Sequence, residues 1–171
     1  MKASDFMSVL MPIKDKLFRF ALRLLGDREE AEDALQDVLA KLWQKRDKLE
    51  QYQNPEAAAM TAMRNHCIDM IRKRKMQKLE LKEEILPEAS DSPAKQTELN
   101  DAVNAVNEII ARLPEQQKMV IHLRDIEGLE FKEISNVTGL TENNIRVHLS
   151  RARKKIRELL ITDYNYEYKP G

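Results

Sequence analysis

The sequence predicts an all-α protein built from two small helical domains that a flexible acidic linker joins. Several stretches repeat apolar residues at the helical period, and no stretch shows the sustained alternation, rich in β-branched or aromatic residues, that is typical of a strand. Three of the four glycines, Gly26, Gly128 and Gly139, follow such helical stretches, where a left-handed C-terminal cap is expected. Hydrophobic residues make up 42% of the 171 residues and charged residues 34%, a composition that suits packed amphipathic helices.

The first domain is predicted over residues 1–78 and begins with two helices. The first helix covers residues 11–25. The second begins after Gly26, with Asp27 as N-cap and Glu30 placed to complete a capping box. Its opposite face carries acidic side chains and is expected to remain in contact with water. Its apolar face consists of Ala31, Ala34, Leu35, Val38, Leu39, Leu42 and Trp43.

A third helix is predicted to begin at Asn54 and Pro55, a typical N-cap followed by a first-turn proline. Cys67 falls on its apolar face and is interpreted as a small buried hydrophobic residue. The helix then enters a basic run over residues 72–75. The other apolar positions are Met60, Met63, Met70 and Ile71.

An acidic stretch over residues 79–98 is predicted to be the linker, because it contains two prolines and loses its helical periodicity. The second domain is predicted over residues 99–162, and its first helix ends at Pro114. Residues 163–171 form a tail to which we assign no function. The first helix of the second domain has a single apolar seam, formed by Leu99, Val103, Val106, Ile110 and Leu113.

Three further helices are predicted over residues 115–127, 131–138 and 142–160, and the last two form a helix-turn-helix. In this motif the first helix braces the second, whose N-terminal part enters the major groove of DNA. Thr141 is the predicted N-cap of the second helix. The positions expected to face inward are Ile134, Val137, Ile145, Leu149, Ala152 and Ile156. The positions expected to face DNA are Asn143, Asn144, Arg146, Val147, Ser150, Arg151, Lys154 and Lys155.

The charges of the sequence are separated by segment. The chain has 29 basic and 29 acidic residues and no net charge, which argues against non-specific binding to nucleic acid. Residues 27–37, however, contain six acidic side chains and one arginine, whereas residues 146–157 contain six basic side chains and no acidic one. Such a basic run can also be a solvated face that complements the helix dipole. Because the N-cap, the glycine turn and the outward polar residues agree in register, the pattern favours contact with DNA.

Three blocks of the sequence resemble the extracytoplasmic-function group of the sigma-70 family, the small two-domain sigma factors of bacterial RNA polymerase. The blocks are LLGDREEAEDALQDVLAKLW (24–43), NPEAAAMTAMRNHCIDMIRKRK (54–75) and LPEQQKMVIHLRDIEGLEFKEISNVTGLTENNIRVHLSRARKKIRELL (113–160). They occur in the family's order and with its spacing. Family members often have a tryptophan shortly after the Asn-Pro pair, where this sequence has Ala57, Ala58 and Ala59, so we expect different packing there.

The resemblance implies a transcription initiation factor that binds core RNA polymerase and directs it to promoter DNA. It implies that the second helix binds the β′ clamp through residues near Asp37, Lys41 and Gln44, and that the β flap is a second contact. From the residues alone, an amphipathic helix whose polar face meets only water is the simpler interpretation. An anti-sigma factor, commonly membrane-tethered in this group, is a further implied partner.

For the −10 promoter element, the resemblance implies that the loop over residues 46–54 captures an unstacked base and that the third helix follows the DNA backbone. Tyr52 could stack on a base or pack on the domain surface. Binding the separated strand would favour DNA opening without hydrolysis. For the −35 element, the resemblance implies that the outward residues of the last helix lie in the major groove. The implied −10 residues are Tyr52, Arg64, Asn65, Arg72 and Arg74.

Two other classes of protein are alternatives. A stand-alone helix-turn-helix regulator explains the second domain but not the basic third helix. An enzyme would need a convergent set of catalytic groups. The sequence shows none, because His66, His122 and His148 are scattered and no phosphate-binding glycine loop occurs. We therefore predict no catalysis, no metal and no cofactor.

The single cysteine and the short apolar stretches predict a cytoplasmic protein without membrane insertion.

Overall fold

A computed structural model describes residues 1–81 and 98–163, the side chains of residues 98–100 excepted. The described residues contain no strand, which confirms the predicted all-α class. The predicted linker between residues 82 and 97 and the predicted tail from residue 164 lie outside the described residues. The helices are α1 (Ala3–Leu10), α2 (Lys14–Leu25), α3 (Arg28–Gln44), α4 (Arg46–Gln51), α5 (Pro55–Glu80), α6 (Glu98–Arg112), α7 (Glu115–Ile121), α8 (Phe131–Thr138) and α9 (Glu142–Asp163).

The N-terminal bundle comprises α1 to α5, with α2, α3 and α5 packed against one another. The predicted helix over residues 11–25 is wrong at its start, because Ala3–Leu10 forms the separate helix α1 and α2 begins only at Lys14. Pro12 explains the break, since its ring nitrogen has no hydrogen to donate to a helical carbonyl. Phe6 and Leu10 of α1 are buried in the bundle core.

Helix α3 begins as predicted, with the Asp27 side chain accepting a hydrogen bond of 2.9 Å from the backbone N–H of Glu30. The predicted reciprocal half of the capping box is wrong. The Glu30 carboxylate forms an ion pair with Arg74 of α5, because that guanidinium is a stronger partner than a backbone N–H. The start of α3 is therefore fastened to α5.

Helix α5 begins at the predicted cap, where Asn54 accepts a hydrogen bond of 3.1 Å from the N–H of Ala57. It ends at Glu80, two residues beyond the predicted domain boundary at residue 78. The predicted loop over residues 46–54 is wrong in part, because α4 occupies most of it. Leu49 explains this helix, since its side chain is buried in the bundle core.

The C-terminal bundle comprises α6 to α9. The predicted apolar seam of α6 is only partly correct, because Val103 is 58% exposed while Ala105 and Ile109 are buried. Two neighbouring rows of the helix are apolar, and the row with Ile109 faces the core. Leu99 lies among the residues whose side chains are not described.

The helix-turn-helix forms at the predicted residues. Gly139 ends α8 with a left-handed φ of 75°, a conformation that side chains other than glycine adopt only with strain. Thr141 caps α9 through a hydrogen bond of 3.1 Å from the N–H of Asn144. Helix α9 extends beyond the predicted end at residue 160 and reaches Asp163.

Helix α7 continues into a π-helical turn at His122–Ile126. Within this turn the N–H of Glu127 donates to the carbonyl of His122 over 3.0 Å, five residues back along the chain. A single extra residue thus widens the helix just before Gly128 ends it with a φ of 72°.

The two bundles pack on each other, and their buried side chains form one continuous apolar core. Helix α2 packs on α7 and the π turn, and α5 packs on α8. The sequence predicted two domains joined only by a linker, and this direct contact between the bundles was not expected.

Candidate nucleic-acid interface

Helix α9 presents a polar row on its outer side and an apolar row toward α8 and α6. The predicted inward positions of α8 and α9 are buried, with Ile156 half-buried. The predicted outward positions, from Asn143 to Lys155, are all exposed, Val147 among them at 41%. The amphipathic pattern of the sequence therefore identifies correctly which residues of α9 are available to a partner.

Two arginines of the C-terminal bundle are held by protein partners. Arg153 of α9 donates hydrogen bonds of 3.0 and 2.7 Å to the carboxylate of Asp125. Arg124 donates one of 2.8 Å to the carbonyl of Leu129. Arg146 differs, because its guanidinium lies over the ring of Phe131, 5.0 Å from the centroid, without a hydrogen bond to hold it in the part of the chain that the structure describes. Its five N–H groups donate to no atom within the described residues.

The residues predicted to meet the −10 element lie on two sides of α5 and in the segment before it, because Arg74 faces α3 while Arg64 and Arg72 face α7. Tyr52 is exposed and closes the C-terminal end of α4, while Asn65 and Arg72 are exposed on α5. Arg64 is half-buried and donates to the side-chain oxygen of Asn65 over 3.0 Å. Arg74 forms the ion pair with Glu30, so its charge is already balanced within the bundle.

The predicted polymerase-binding residues Asp37, Lys41 and Gln44 are exposed on α3. His66 of α5 connects two of them, with its Nδ1 3.2 Å from Nζ of Lys41 and its Nε2 3.4 Å from the carboxylate of Asp37. Burial, followed by the positive charge of Lys41, lowers the pKa of His66. The imidazole thus lies between a cation and an anion on the surface of α3.

A cavity of about 430 Å³ separates α5 from the start of α7 and from His148 of α9. Arg64, Arg72 and Lys75 line its α5 side. Nε of Arg64 and Nδ1 of His148 are buried and lack a hydrogen-bond partner in the described part of the protein. The second bundle therefore covers part of the α5 surface that was predicted to follow DNA, including Arg64.

A cluster of charged and polar side chains, which we call the clasp, holds the bundles together. It consists of Arg19, Arg23, Asn107, His122 and Glu127. Arg19 donates hydrogen bonds of 2.6 and 2.9 Å to the two carboxylate oxygens of Glu127, whose side chain is only 3% exposed. Arg23 donates to Nδ1 of His122 over 3.2 Å and to the side-chain oxygen of Asn107 over 3.0 Å.

The imidazole of His122 is the buried centre of this clasp and stacks on Phe20, with ring centroids 5.7 Å apart. Burial, followed by the positive charge of Arg23, lowers the pKa of His122 to about 4. Burial alone would raise the pKa of Glu127, but the hydrogen bonds and charge of Arg19 lower it. The sequence analysis missed the clasp, because its residues lie 84 to 108 positions apart and share no local pattern.

An apolar groove of about 830 Å³ runs between α6, the π turn and the C-terminal half of α9. Val103, Val106, Ile121, Ile126 and Ile156 line it, which explains why the predicted seam of α6 is only partly buried. No cluster of histidine, cysteine or carboxylate side chains that could hold a metal ion occurs within the described residues. No helix in the same residues is long and apolar enough to cross a membrane.

These features define the class as a helical protein with a helix-turn-helix and a second basic helix suited to nucleic acid. Comparison with known proteins gives two family matches, Sigma-70 region 2 over residues 11–76 and Sigma-70, region 4 over residues 104–156. RNA polymerase sigma-E factor of Streptomyces coelicolor is 27% identical over 157 residues, which cover 92% of this chain and 86% of the relative. ECF RNA polymerase sigma factor SigM of Bacillus subtilis is 26% identical over 156 residues, covering 88% and 92%.

Among solved structures, the sigma factor RpoE of Bartonella quintana, in complex with the anti-sigma factor NepR, matches with a TM-score of 0.81. The match covers 94% of this chain and 99% of RpoE at 27% identity. CnrH, in complex with the cytosolic domain of CnrY, matches with a TM-score of 0.66 over 95% and 91% of the two chains. At 21% identity, CnrH shows a shared fold.

The chain therefore belongs to the extracytoplasmic-function (ECF) group of the sigma-70 family, whose members direct RNA polymerase to promoters. The resemblance noted in the sequence is confirmed. Both family matches together span the two bundles, so a stand-alone regulator that shares only the helix-turn-helix is not favoured.

Proposed function

We propose that the outward row of α9 reads the −35 element in the major groove. The observation that carries this assignment is the exposure of Asn143, Arg146 and Arg151 directly opposite a buried apolar row. Asparagine and arginine pair with the edges of adenine and guanine, whereas the later Lys154 and Lys155 suit phosphates.

The N-terminal bundle is proposed to bind the −10 element through Tyr52 and the basic side of α5. An exposed tyrosine can stack on a base that has left the duplex, and Asn65 and Arg72 are exposed along the adjoining helix. Arg64 becomes fully available only when the second bundle moves away from α5. Arg74 is a weaker candidate for a phosphate contact, because contact with DNA would compete with Glu30.

Core RNA polymerase is proposed to contact both bundles. Asp37, Lys41 and Gln44 form a polar surface on α3 for the β′ clamp, with the imidazole of His66 between the first two. The apolar groove beside Val103 is assigned to the β flap, because a large exposed apolar surface on a protein is typical of an interaction site. We propose that the protein acts in the cytoplasm, where it meets core polymerase, and we assign no catalytic step to its own residues.

We call the arrangement in which the two bundles pack on each other the closed form. It is proposed to be a resting state from which the bundles separate on the promoter. The −10 and −35 elements are separated by roughly 25 base pairs, or about 85 Å of duplex at about 3.4 Å per pair. In the closed form, Arg72 of the −10 surface and His148 of α9 line the same cavity. One molecule cannot reach both elements in this form, so residues 1–78 and 99–162 act as separate domains joined by the linker.

An anti-sigma factor is proposed as the partner of the closed form. RpoE, which matches this chain over both bundles, was solved in complex with the anti-sigma factor NepR. A partner that binds the closed form better than the open form would shift the population away from promoter binding.

Run-off transcription with purified core polymerase tests the assignment of α9. Holoenzyme containing the wild-type protein should yield promoter-specific transcripts, and Arg146→Ala and Arg151→Ala should reduce them by about tenfold each, the value of one base contact. Lys14→Ala is the matched control, because this exposed cation lies outside both proposed DNA surfaces.

If all three variants behave alike, α9 does not read the promoter. If the protein shifts a specific duplex by itself and adds nothing to core polymerase, the sigma assignment of this chain is wrong.

A further inference from the structure

Arg146 is the one recognition-row arginine whose guanidinium lies over an aromatic ring within the described residues. Its partner, Phe131, is the first residue of α8, the bracing helix of the motif. A cation over a ring is attracted by the negative face of the π system, and this attraction uses none of the N–H donors. The two N–H groups that read a guanine therefore remain free while the side chain is held.

The ring of Phe131 is itself well fixed. A reciprocal capping box between Glu130 and Glu133 sets the start of α8, where Phe131 is half-buried against the core. Arg124 also lies over this ring, 4.9 Å from the centroid, and its hydrogen bond to the carbonyl of Leu129 holds it in place. Phe131 thus lies between a hydrogen-bonded arginine of the scaffold and an arginine of the recognition helix.

We infer that Phe131 is a positioning residue that pre-orients Arg146 toward one base pair of the −35 element. This inference rests on the proposed role of α9. A long arginine side chain in water samples many rotamers, and restricting it costs free energy when it binds a base. Phe131 supplies part of that restriction before DNA arrives, so its loss should weaken the discrimination that Arg146 provides and leave the other base contacts unchanged.

The test uses the full-length protein in holoenzyme and a promoter panel in which each −35 base pair is changed singly. Arg146→Ala first identifies the base pair that this arginine discriminates. Phe131→Leu, which keeps an apolar side chain but removes the π face, should lower discrimination at that same base pair by roughly fivefold. Phe131→Tyr keeps the π face and should stay within about twofold of wild type.

Two further variants separate positioning from a general structural effect. The double variant Phe131→Leu/Arg146→Ala should discriminate no worse than Arg146→Ala alone, because the ring acts through the arginine. Phe18→Leu is the matched control, since Arg28 lies over the Phe18 ring at 5.8 Å in the other bundle. It should leave discrimination at every −35 position unchanged.

The inference is overturned if Phe131→Leu discriminates like wild type, if it weakens all promoters equally, or if Arg146→Ala changes discrimination at no base pair. A wild-type protein that gives no promoter-specific transcript refutes the proposed function itself, and the inference with it. The wild-type reaction therefore distinguishes the two failures.

Discussion

Replacing Arg19 by leucine should loosen the contact between the two bundles. This substitution removes both hydrogen bonds of 2.6 and 2.9 Å to Glu127. The carboxylate that remains is 3% exposed in the closed form and fully hydrated once the bundles separate. The variant therefore leaves a desolvated anion without its main partner, which penalises the closed form.

The loss of free energy that Arg19→Leu causes follows from the exposed fractions of the Arg19 and Glu127 side chains. Hydrogen bonds between charged groups contribute about 1.5–3 kcal/mol when one partner is buried. The Arg19 side chain is 48% exposed, so water screens part of the attraction and we expect roughly 2 kcal/mol. This shifts the ratio of closed to open molecules by about thirtyfold.

Fluorescence energy transfer between Ser8→Cys in α1 and Ala111→Cys in α6 measures this ratio, because both positions are exposed on different bundles. Cys67 does not interfere, since it is buried and burial raises the pKa of its thiol to about 12. Transfer should fall in Arg19→Leu and recover in the charge exchange Arg19→Glu/Glu127→Arg. Arg28→Leu is the control, because Arg28 contacts Glu32 and the ring of Phe18, both of which lie within the N-terminal bundle.

Two results would refute the reasoning. Unchanged transfer in Arg19→Leu would mean that the clasp does not hold the bundles together. Equal losses in Arg19→Leu and Arg28→Leu would mean that a general change in charge, rather than the desolvated pair, causes the effect.

Three other predictions concern stability and reactivity. The pKa of His122 is about 4 in the folded protein and about 6.5 in the unfolded chain, so the unfolded chain takes up a proton first as the pH falls. The free energy of unfolding should therefore decrease by about 2 kcal/mol between pH 7.5 and 5. Urea unfolding should show this decrease for the wild type and not for His122→Phe. Gly139→Ala should lower the free energy of unfolding by about 1 kcal/mol in a thermal unfolding experiment, because a residue with a Cβ is strained at a φ of 75° although no atom crowds the position. Gly139→Asn should lower it by less. Cys67 should react with a thiol reagent only as the protein unfolds, so equal rates in native buffer and urea would contradict its burial.

The sequence predicts most of the local structure, because local signals determine it. Asn54 and Thr141 cap their helices as their side-chain chemistry indicates, and Gly139 ends α8 in a left-handed conformation. The row of α9 that is available to a partner follows from the helical period of its apolar residues alone. These features need only neighbours within four residues.

Features that depend on distant residues could not be predicted. No spacing rule connects Arg19 with Glu127, and the burial that lowers the pKa of His122 arises only when both bundles are assembled. Val103 shows the same limit, because the sequence marks it as apolar but cannot say that its groove stays open to solvent. The sequence analysis missed α4 because its six residues are too few to show an apolar period, and the burial of Leu49 stabilises this short helix.

The π turn at His122–Ile126 has an evolutionary consequence. A turn of this kind contains one residue more than the α-helix it interrupts, and removing that residue would rotate everything after it by about 100°. Glu127 follows the turn directly, so a deletion would carry its carboxylate away from Arg19. We therefore expect the insertion and the charge pair to be inherited together, so that relatives that lack the extra residue also lack the acidic partner.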